Sequence, residues 1–315
     1  MKIGILGCSR VYEDAIIKPG IFEVFGIASR SYDKAVNAAE KYHIDKVYQT
    51  YEELVKDSDL NAVYIALPPA IQPQWVEKSL AAGKRVLVEK PLSVKVCDLK
   101  RINMLIGSGN ILLEGVMTQH HEWQQFIKDV LKSGIYGELL NVDTKINMVI
   151  PEEKIGFRDK KELGGGGFFD QGSYWLQFIQ FLLGLDFEEY RVSVNKFFRG
   201  VDWETTFYGK IGMTDIYFET SYQKKYNVVH NLRFKNAEII ISNFFRAAMG
   251  KYKITVEIIS GEQKEKIKFD AQNYYENQLQ LFEKMDVLDC ARYWNETCQR
   301  IVWLDKIGEL IYGDR

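Results

Sequence analysis

Two stretches of this 315-residue chain carry side chains suited to moving protons and steadying charge. In the first, the apolar run Arg85 to Val88 leads through Glu89 to Lys90, which is followed by Pro91. The run reads as a buried strand. Ligands of parallel sheets gather at the carboxyl ends of strands, so Lys90 stands at a useful place. Pro91 holds Lys90 to extended backbone, and the Lys90–Pro91 bond is a candidate for the cis form. A lysine held there eases ionisation of a neighbouring phenol and stabilises developing alkoxide charge; the competing reading is an ordinary surface lysine. The second stretch is Gly164-Gly165-Gly166-Gly167, followed by Asp170 and Tyr174. The glycines let the backbone pass close to a ligand or another strand. Asp170 and Tyr174 are spaced to share one helical face. Beside Trp175 and near Phe178, Tyr174 also reads as aromatic core.

A third stretch suits phosphate. Gly7-Cys8-Ser9-Arg10-Val11-Tyr12 lies where a strand gives way to a helix, so Gly7 permits a tight turn and the following amides face an anion. It departs from G-x-G-x-x-G, with Ser9 and Tyr12 in place of the later glycines, and the Ser9 hydroxyl substitutes for close backbone approach. The next strand ends in Ser29-Arg30, where a hydroxyl and a guanidinium stand in place of a ribose-binding carboxylate. That pair favours a 2′-phosphate, hence NADP(H), with NAD(H) the alternative.

These residues need a scaffold. Short apolar runs at 2–6, 22–28, 62–66, 85–88 and 111–113 alternate with amphipathic stretches at 32–42, 51–56, 74–82 and 97–106. That alternation predicts βαβ units and a doubly wound parallel sheet over residues 1–118. Beyond it, a helix at 122–133 precedes longer alternating strands at 140–149, 190–198, 205–210, 214–221, 228–234, 238–243 and 252–259. A helix at 170–183 interrupts them, and two more, near 272–285 and 289–311, close the chain. Residues 119–315 therefore read as an α+β domain for substrate binding and dimerisation, its mostly antiparallel open sheet carrying helices on one face. The last helix is a candidate to pack back on the first domain. The aromatic content, 18 Tyr and 18 Phe, suggests an exposed apolar sheet face and a homodimer or higher oligomer.

Composition excludes several roles. With 41 basic and 43 acidic side chains and a net charge of −2, nothing draws the chain to nucleic acid or an anionic membrane. The basic runs at 224–225 and 264–268 read as solvated strand faces. Cys8, Cys97, Cys290 and Cys298 have no metal-binding spacing and read as reduced thiols. His120 and His121 are adjacent and lack an acidic partner, so no metal is expected. Met1-Lys2-Ile3-Gly4 enters a strand with no targeting leader, so a cytoplasmic location is expected.

The whole chain resembles the glucose–fructose oxidoreductase, inositol dehydrogenase and MocA family, in its tyrosine-type, dihydrodiol dehydrogenase-like branch. Gly83-Lys84-Arg85-Val86-Leu87-Val88-Glu89-Lys90-Pro91-Leu92 and Glu162 to Tyr174 carry the resemblance, with Ala62 to Pro68 and Tyr136-Gly137-Glu138-Leu139. It implies a Rossmann domain and hydride transfer between nicotinamide and a hydroxyl or keto carbon of a sugar, sugar nucleotide or polyol. It places the general acid/base at Tyr174, served by Lys90. Asp170 would bind a substrate hydroxyl or orient the base, and Glu89 would face the nicotinamide. Leu67 and Pro68 would line the cofactor site, and Arg158 and His121 would touch substrate. Two positions depart from the pattern: Gln72 stands where the family often has His, its amide still suited to ribose or nicotinamide, and Gln119 replaces an arginine. The alternatives within the resemblance are a non-catalytic nicotinamide-binding regulator and an NAD-dependent glycosidase.

Overall fold

The computed structural model describes residues 1–313 and divides into two compact units, Met1–Gly115 with Tyr275–Val302, and Val116–Tyr274 with the residues from Trp303 onward. The first unit alternates strands and helices: β1 (Lys2–Leu6), β2 (Glu23–Ala28), α1 (Tyr32–Tyr42), β3 (Lys46–Tyr48), α2 (Tyr51–Lys56), β4 (Ala62–Ile65), α3 (Gln72–Ala81), β5 (Arg85–Glu89), α4 (Leu99–Ile106) and β6 (Leu112–Gly115). All six strands run parallel in the order β3-β2-β1-β4-β5-β6. The strands are apolar on both faces because helices cover both, and Ile3, Ile5, Val63, Ile65, Val86 and Val88 are wholly buried. The order reverses between β1 and β4, so the carboxyl ends of these two strands flank the crevice where such sheets bind ligands. The crossover after β1 carries only a short π-helical turn, Glu13–Ile17. β3, with three residues, is too short to leave a periodic trace in the sequence.

The second unit begins with α5 (Glu122–Ser133) and β7 (Leu139–Asn147). It continues through α6 (Gly167–Leu183), β8 (Glu189–Phe198), β9 (Val201–Ile211), β10 (Thr214–Ser221), β11 (Asn227–Phe234), β12 (Glu238–Ser242), β13 (Ile254–Ser260) and β14 (Gln263–Phe269). Its eight strands follow the order β14-β13-β12-β11-β7-β10-β9-β8, antiparallel except where β7 meets β10. The register explains the alternation seen in the sequence. One cross-strand row, Phe207, Phe218, Thr144, His230, Ile241 and Val256, is buried under the helices, with Trp175 of α6 stacked 4.6 Å from Phe218. The neighbouring row, Arg191, Tyr208, Tyr217, Asp143, Asn231, Ile240, Glu257 and Lys266, faces away from them. That open face therefore mixes tyrosines and charges with the single isoleucine of this row, and is not the apolar surface expected from composition.

The chain closes with α7 (Tyr274–Lys284) and α8 (Val287–Tyr312). The expectation that residues 119–315 form one domain needs correction, because residues 275–302 join the first unit and the break between units falls after Gly115. Specific polar contacts hold them there. The Arg85 guanidinium donates to the Phe282 carbonyl and, at 3.1 Å, to that of Met285. Trp294 Nε1 donates to Asn103 Oδ1 at 3.0 Å. Deepest is an ion pair, Arg300 to Glu114 at 2.7 Å, with both side chains 2% exposed. Among the described residues no helix is long and apolar enough to cross a membrane, and all four cysteines are unpaired thiols.

Removing one partner of a buried pair strands the other charge, at a cost of about 3–5 kcal/mol. Arg300→Met is expected to lower the urea midpoint accordingly, and Glu114→Gln on that background should recover part of the loss. Unfolding of Arg300→Met at the wild-type midpoint would show that the pair contributes nothing net.

Candidate active site

The turn after β1 is packed too closely for any residue but glycine. Gly7 has φ +99°, and a Cβ there would lie 2.8 Å from both the Ala66 carbonyl oxygen and Leu67 Cδ2, at the end of β4. Its N–H donates to the Ala28 carbonyl at 2.9 Å, tying the turn to the end of β2 as well. Ser9 Oγ is buried and has no hydrogen-bond partner, which is rare for a hydroxyl unless a ligand completes it. Arg10 is exposed and Val11 half-buried. Burial pushes the Cys8 thiol up, against the pull of a hydrogen bond with Ser29. At the end of β2, Ser29 Oγ accepts the Ser31 N–H at 3.3 Å, and the exposed Arg30 donates its backbone N–H to the Tyr51 hydroxyl at 3.2 Å. Leu67 is buried and Pro68 half-buried after β4. Glu89 and Lys90, both half-buried, end β5, and the Lys90–Pro91 peptide is cis. The residues singled out for a dinucleotide thus collect at the carboxyl ends of β1, β2, β4 and β5.

Gln72 is the exception. It is wholly buried at the start of α3, and its Nε2 donates to the carbonyls of Glu89 at 2.9 Å and Pro91 at 2.7 Å. The amide nitrogen expected to meet ribose or nicotinamide is thus committed to the backbone around Lys90, while Oε1 is buried without a hydrogen-bond partner. Two further residues of this neighbourhood escaped the sequence reading. The Tyr64 hydroxyl donates to Glu89 Oε1 at 2.7 Å, and Glu114 Oε1 accepts the Leu92 N–H at 3.0 Å. Tyr64 had a legible signal, a phenol inside a fully apolar strand that needs a partner. Glu114 had none, because its partners are remote in sequence.

In the second unit the glycine run admits a strand. A Cβ on Gly166, at φ +120°, would lie 2.2 Å from Asp202 Oδ1. Asp202, fully buried on β9, accepts from the Phe168 N–H at 2.8 Å, the Thr205 hydroxyl at 2.7 Å and the Tyr312 hydroxyl. It thereby holds the first turn of α6, although burial pushes its carboxyl up. One turn on, Asp170 Oδ2 accepts from Arg158 Nε at 2.7 Å and from the Tyr222 hydroxyl at 2.6 Å. Asp170 in turn raises the Arg158 guanidinium, while burial and then Asp170 push the Tyr222 phenol well up. Tyr222 left no sequence signal, lying 52 residues from its partner. Tyr174 is half-buried, its ring edge-on to Phe245 with centroids 4.7 Å apart, whereas Trp175 and Phe178 are completely enclosed. Tyr174 therefore lies at the edge of the aromatic core, joined to it through Phe245 and Phe244. His121 is buried, and its Nδ1 accepts the Trp123 N–H at 3.2 Å as the N-cap of α5. Its ring lies 5.1 Å from that of Tyr274. This capping contact gives His121 a structural role through Nδ1, while its Nε2 is buried without a hydrogen-bond partner.

Comparison with known proteins fits this architecture. Residues 1–126 match the family model described as an oxidoreductase family with NAD-binding Rossmann fold, and residues 124–263 match the GFO/IDH/MocA C-terminal domain. The chain belongs to the Gfo/Idh/MocA oxidoreductase family. A dTDP-3,4-didehydro-2,6-dideoxy-alpha-D-glucose 3-reductase of Saccharopolyspora spinosa is 35% identical over 190 residues, 58% of this chain and 57% of that protein. A trans-1,2-dihydrobenzene-1,2-diol dehydrogenase of Xenopus tropicalis is 28% identical over 184 residues, 56% and 55% of the two chains. The match thus spans little more than half the length of these relatives. Similarity of fold extends further. A mutant 3-ketoreductase from Actinomadura kijaniata, crystallised with TDP-benzene and NADP, superposes with a TM-score of 0.89 at 21% identity, covering 98% of this chain and 97% of that one.

Acid should unfold this family member through its buried histidines. Burial lowers His121 from 6.5 to about 4 and His230 from 6.5 to about 3. Both stay neutral in the fold while the unfolded chain takes up protons, so the stability they contribute is complete above about pH 6.5 and is lost as the pH falls toward their folded values, by up to about 1.4 kcal/mol per histidine for each pH unit. Urea midpoints measured from about pH 7 to 4 should fall less steeply in His230→Phe than in wild type, and equal slopes would refute the assignment.

Proposed function

We propose that this chain is an NAD(P)H-dependent oxidoreductase that interconverts a hydroxyl and a keto carbon on a sugar, with sugar nucleotides the favoured class and NADP(H) the favoured cofactor. The observation that carries the reading is the Gly7–Ser9 turn at the point where the strand order reverses, with Lys90 at the end of β5 in the same unit. The residues present suit a dinucleotide. Gly7 leaves room for close approach of phosphate, and Ser9 Oγ lacks a partner that a phosphate oxygen would provide. Amides from Ser9 to Val11 would bind the pyrophosphate, and Ser29 with Arg30 the 2′-phosphate. Leu67, Pro68 and Glu89 would line the remainder. When bound, the nicotinamide supplies or accepts the hydride.

The chain supplies the proton and the electrostatics. In this reading Tyr174 gives its phenolic proton to the carbonyl oxygen during reduction and takes it back during oxidation. Lys90 provides the positive charge that stabilises the oxyanion. Asp170, fixed by Arg158 and Tyr222, acts as an acceptor for a substrate hydroxyl. The sugar-nucleotide assignment draws support from the names of the Saccharopolyspora and Actinomadura proteins, and solved variants of the latter replace a lysine or a tyrosine. We further propose a homodimer or higher homo-oligomer, and a cytoplasmic location in keeping with the unpaired thiols.

The decisive experiment adds keto-sugar nucleotides, keto-sugars and free sugars to protein and NADPH while absorbance at the reduced-nicotinamide band is followed. Net consumption is expected. Glycoside cleavage without consumption would mark a hydrolase, and binding without reaction would mark a sensor. On a substrate that reacts, Lys90→Ala and Tyr174→Phe should each lower kcat by about 10²- to 10⁴-fold with little change in NADPH affinity. Near-normal turnover in either would remove that residue from the mechanism. Arg30→Ala should weaken NADPH by about 10- to 100-fold and spare NADH; equal effects on both would refute 2′-phosphate recognition.

A further inference from the structure

We infer that Gln72 is a positioning residue for Lys90, acting through the backbone on either side of it. The inference rests on the role given to Lys90 above. Gln72 Nε2 donates to the Glu89 carbonyl at 2.9 Å and to the Pro91 carbonyl at 2.7 Å, so one amide nitrogen bridges the two peptide oxygens that flank Lys90. Both acceptors are carbonyls, which fixes the amide with its nitrogen toward the loop. Gln72 itself has no exposed surface, and the neighbouring Pro73 and Trp75 of α3 are buried beside it. The donor therefore sits on a rigid element.

The clamp continues past the proline. Glu114 Oε1 accepts the Leu92 N–H at 3.0 Å, and Arg300 and Thr297 hold its other oxygen at 2.7 and 3.3 Å. Three backbone groups around Lys90 thus end on buried side chains of α3 and β6, while the Lys90 side chain is half-buried. A catalytic cation must be held to a fraction of an ångström, since a displacement of about 1 Å costs about 10²-fold in rate. A bridge of this kind meets that requirement. It also accounts for an amide here: a glutamine nitrogen carries two N–H donors at one atom, whereas neutral imidazole carries a single N–H in all.

The test begins with a readout that needs neither cofactor nor substrate. Trace labelling by acetic anhydride, followed by mass spectrometry, gives the reactivity of Lys90 relative to the exposed Lys34. Gln72→Met removes both donors, and Gln72→Asn keeps the amide one carbon too short to span both carbonyls, which serves if the methionine variant does not fold. In either variant the relative labelling of Lys90 should change at least threefold, and Gln72→His should restore part of the difference. Unchanged labelling of Lys90 in folded Gln72→Asn overturns the inference. Turnover then separates it from the reading it rests on. With NADPH and whichever keto-sugar nucleotide reacts in the panel, Gln72→Met should lose about 10²-fold in kcat per bound NADPH. The double variant with Lys90→Ala should lose no more than Lys90→Ala alone. Additive losses, or a fall that merely follows the number of folded sites, assign Gln72 a purely structural role. Full turnover in Lys90→Ala overturns the function of Lys90 itself, whatever Gln72 does to its labelling.

Discussion

One buried carboxylate organises the first unit. Glu114, near the end of β6, accepts from the Leu92 amide with one oxygen and from Arg300 and Thr297 with the other. An ionised group in such a place is tolerable only when every lone pair is answered. The answer comes from two directions, the loop that carries Lys90 and the helix α8 that follows nearly two hundred residues later. The same charge that fixes the loop carrying Lys90 therefore requires residues 275–302 to complete the first unit. A C-terminal segment of this kind is part of the site's foundation even though none of it is proposed to touch a ligand.

The second unit solves a parallel problem with a different acid. Asp202 is pushed up by burial, yet it accepts from a backbone amide, a threonine and a tyrosine. Its place is made by glycine, because any side chain at Gly166 would collide with it. The glycine run thus serves the entry of α6 against β9, and through it the placement of Asp170 and Tyr174 on that helix. The conspicuous glycine run is thus explained by packing of α6 against β9.

How much the sequence revealed follows from the range of each interaction. Helices α1, α2 and α5 were legible to the residue, because amphipathic spacing and capping are local. The turn at Gly7, the strand-end position of Lys90 and the partition of the two sheets were legible for the same reason. Gln72 was placed at the right position and given the wrong partner. Its neighbours in space, the carbonyls of Glu89 and Pro91, follow from the packing of α3 on the sheet, which no spacing encodes. Tyr222 with Asp170 and Arg300 with Glu114 were invisible, since each pair joins elements far apart in the chain. Composition misled where it was averaged: 18 tyrosines suggested an apolar open sheet, but Tyr208 and Tyr217 stand in a row with Arg191, Asp143 and Lys266.

In the proposed mechanism, α6 carries two ionisable residues of different character. Asp170 Oδ2 receives a guanidinium N–H and a phenolic O–H, and the guanidinium is itself raised by the pairing. A carboxylate oxygen bonded by two donors is an acceptor; protonating it would forfeit both bonds and leave Arg158 without its counterion. Tyr174 lies one turn further on. It is half-buried against Phe245, with an apolar body supported by the protein and a hydroxyl that is chemically a donor. The proposed mechanism accordingly gives proton transfer to the phenol and leaves Asp170 the task its charge permits, holding a hydroxyl in place.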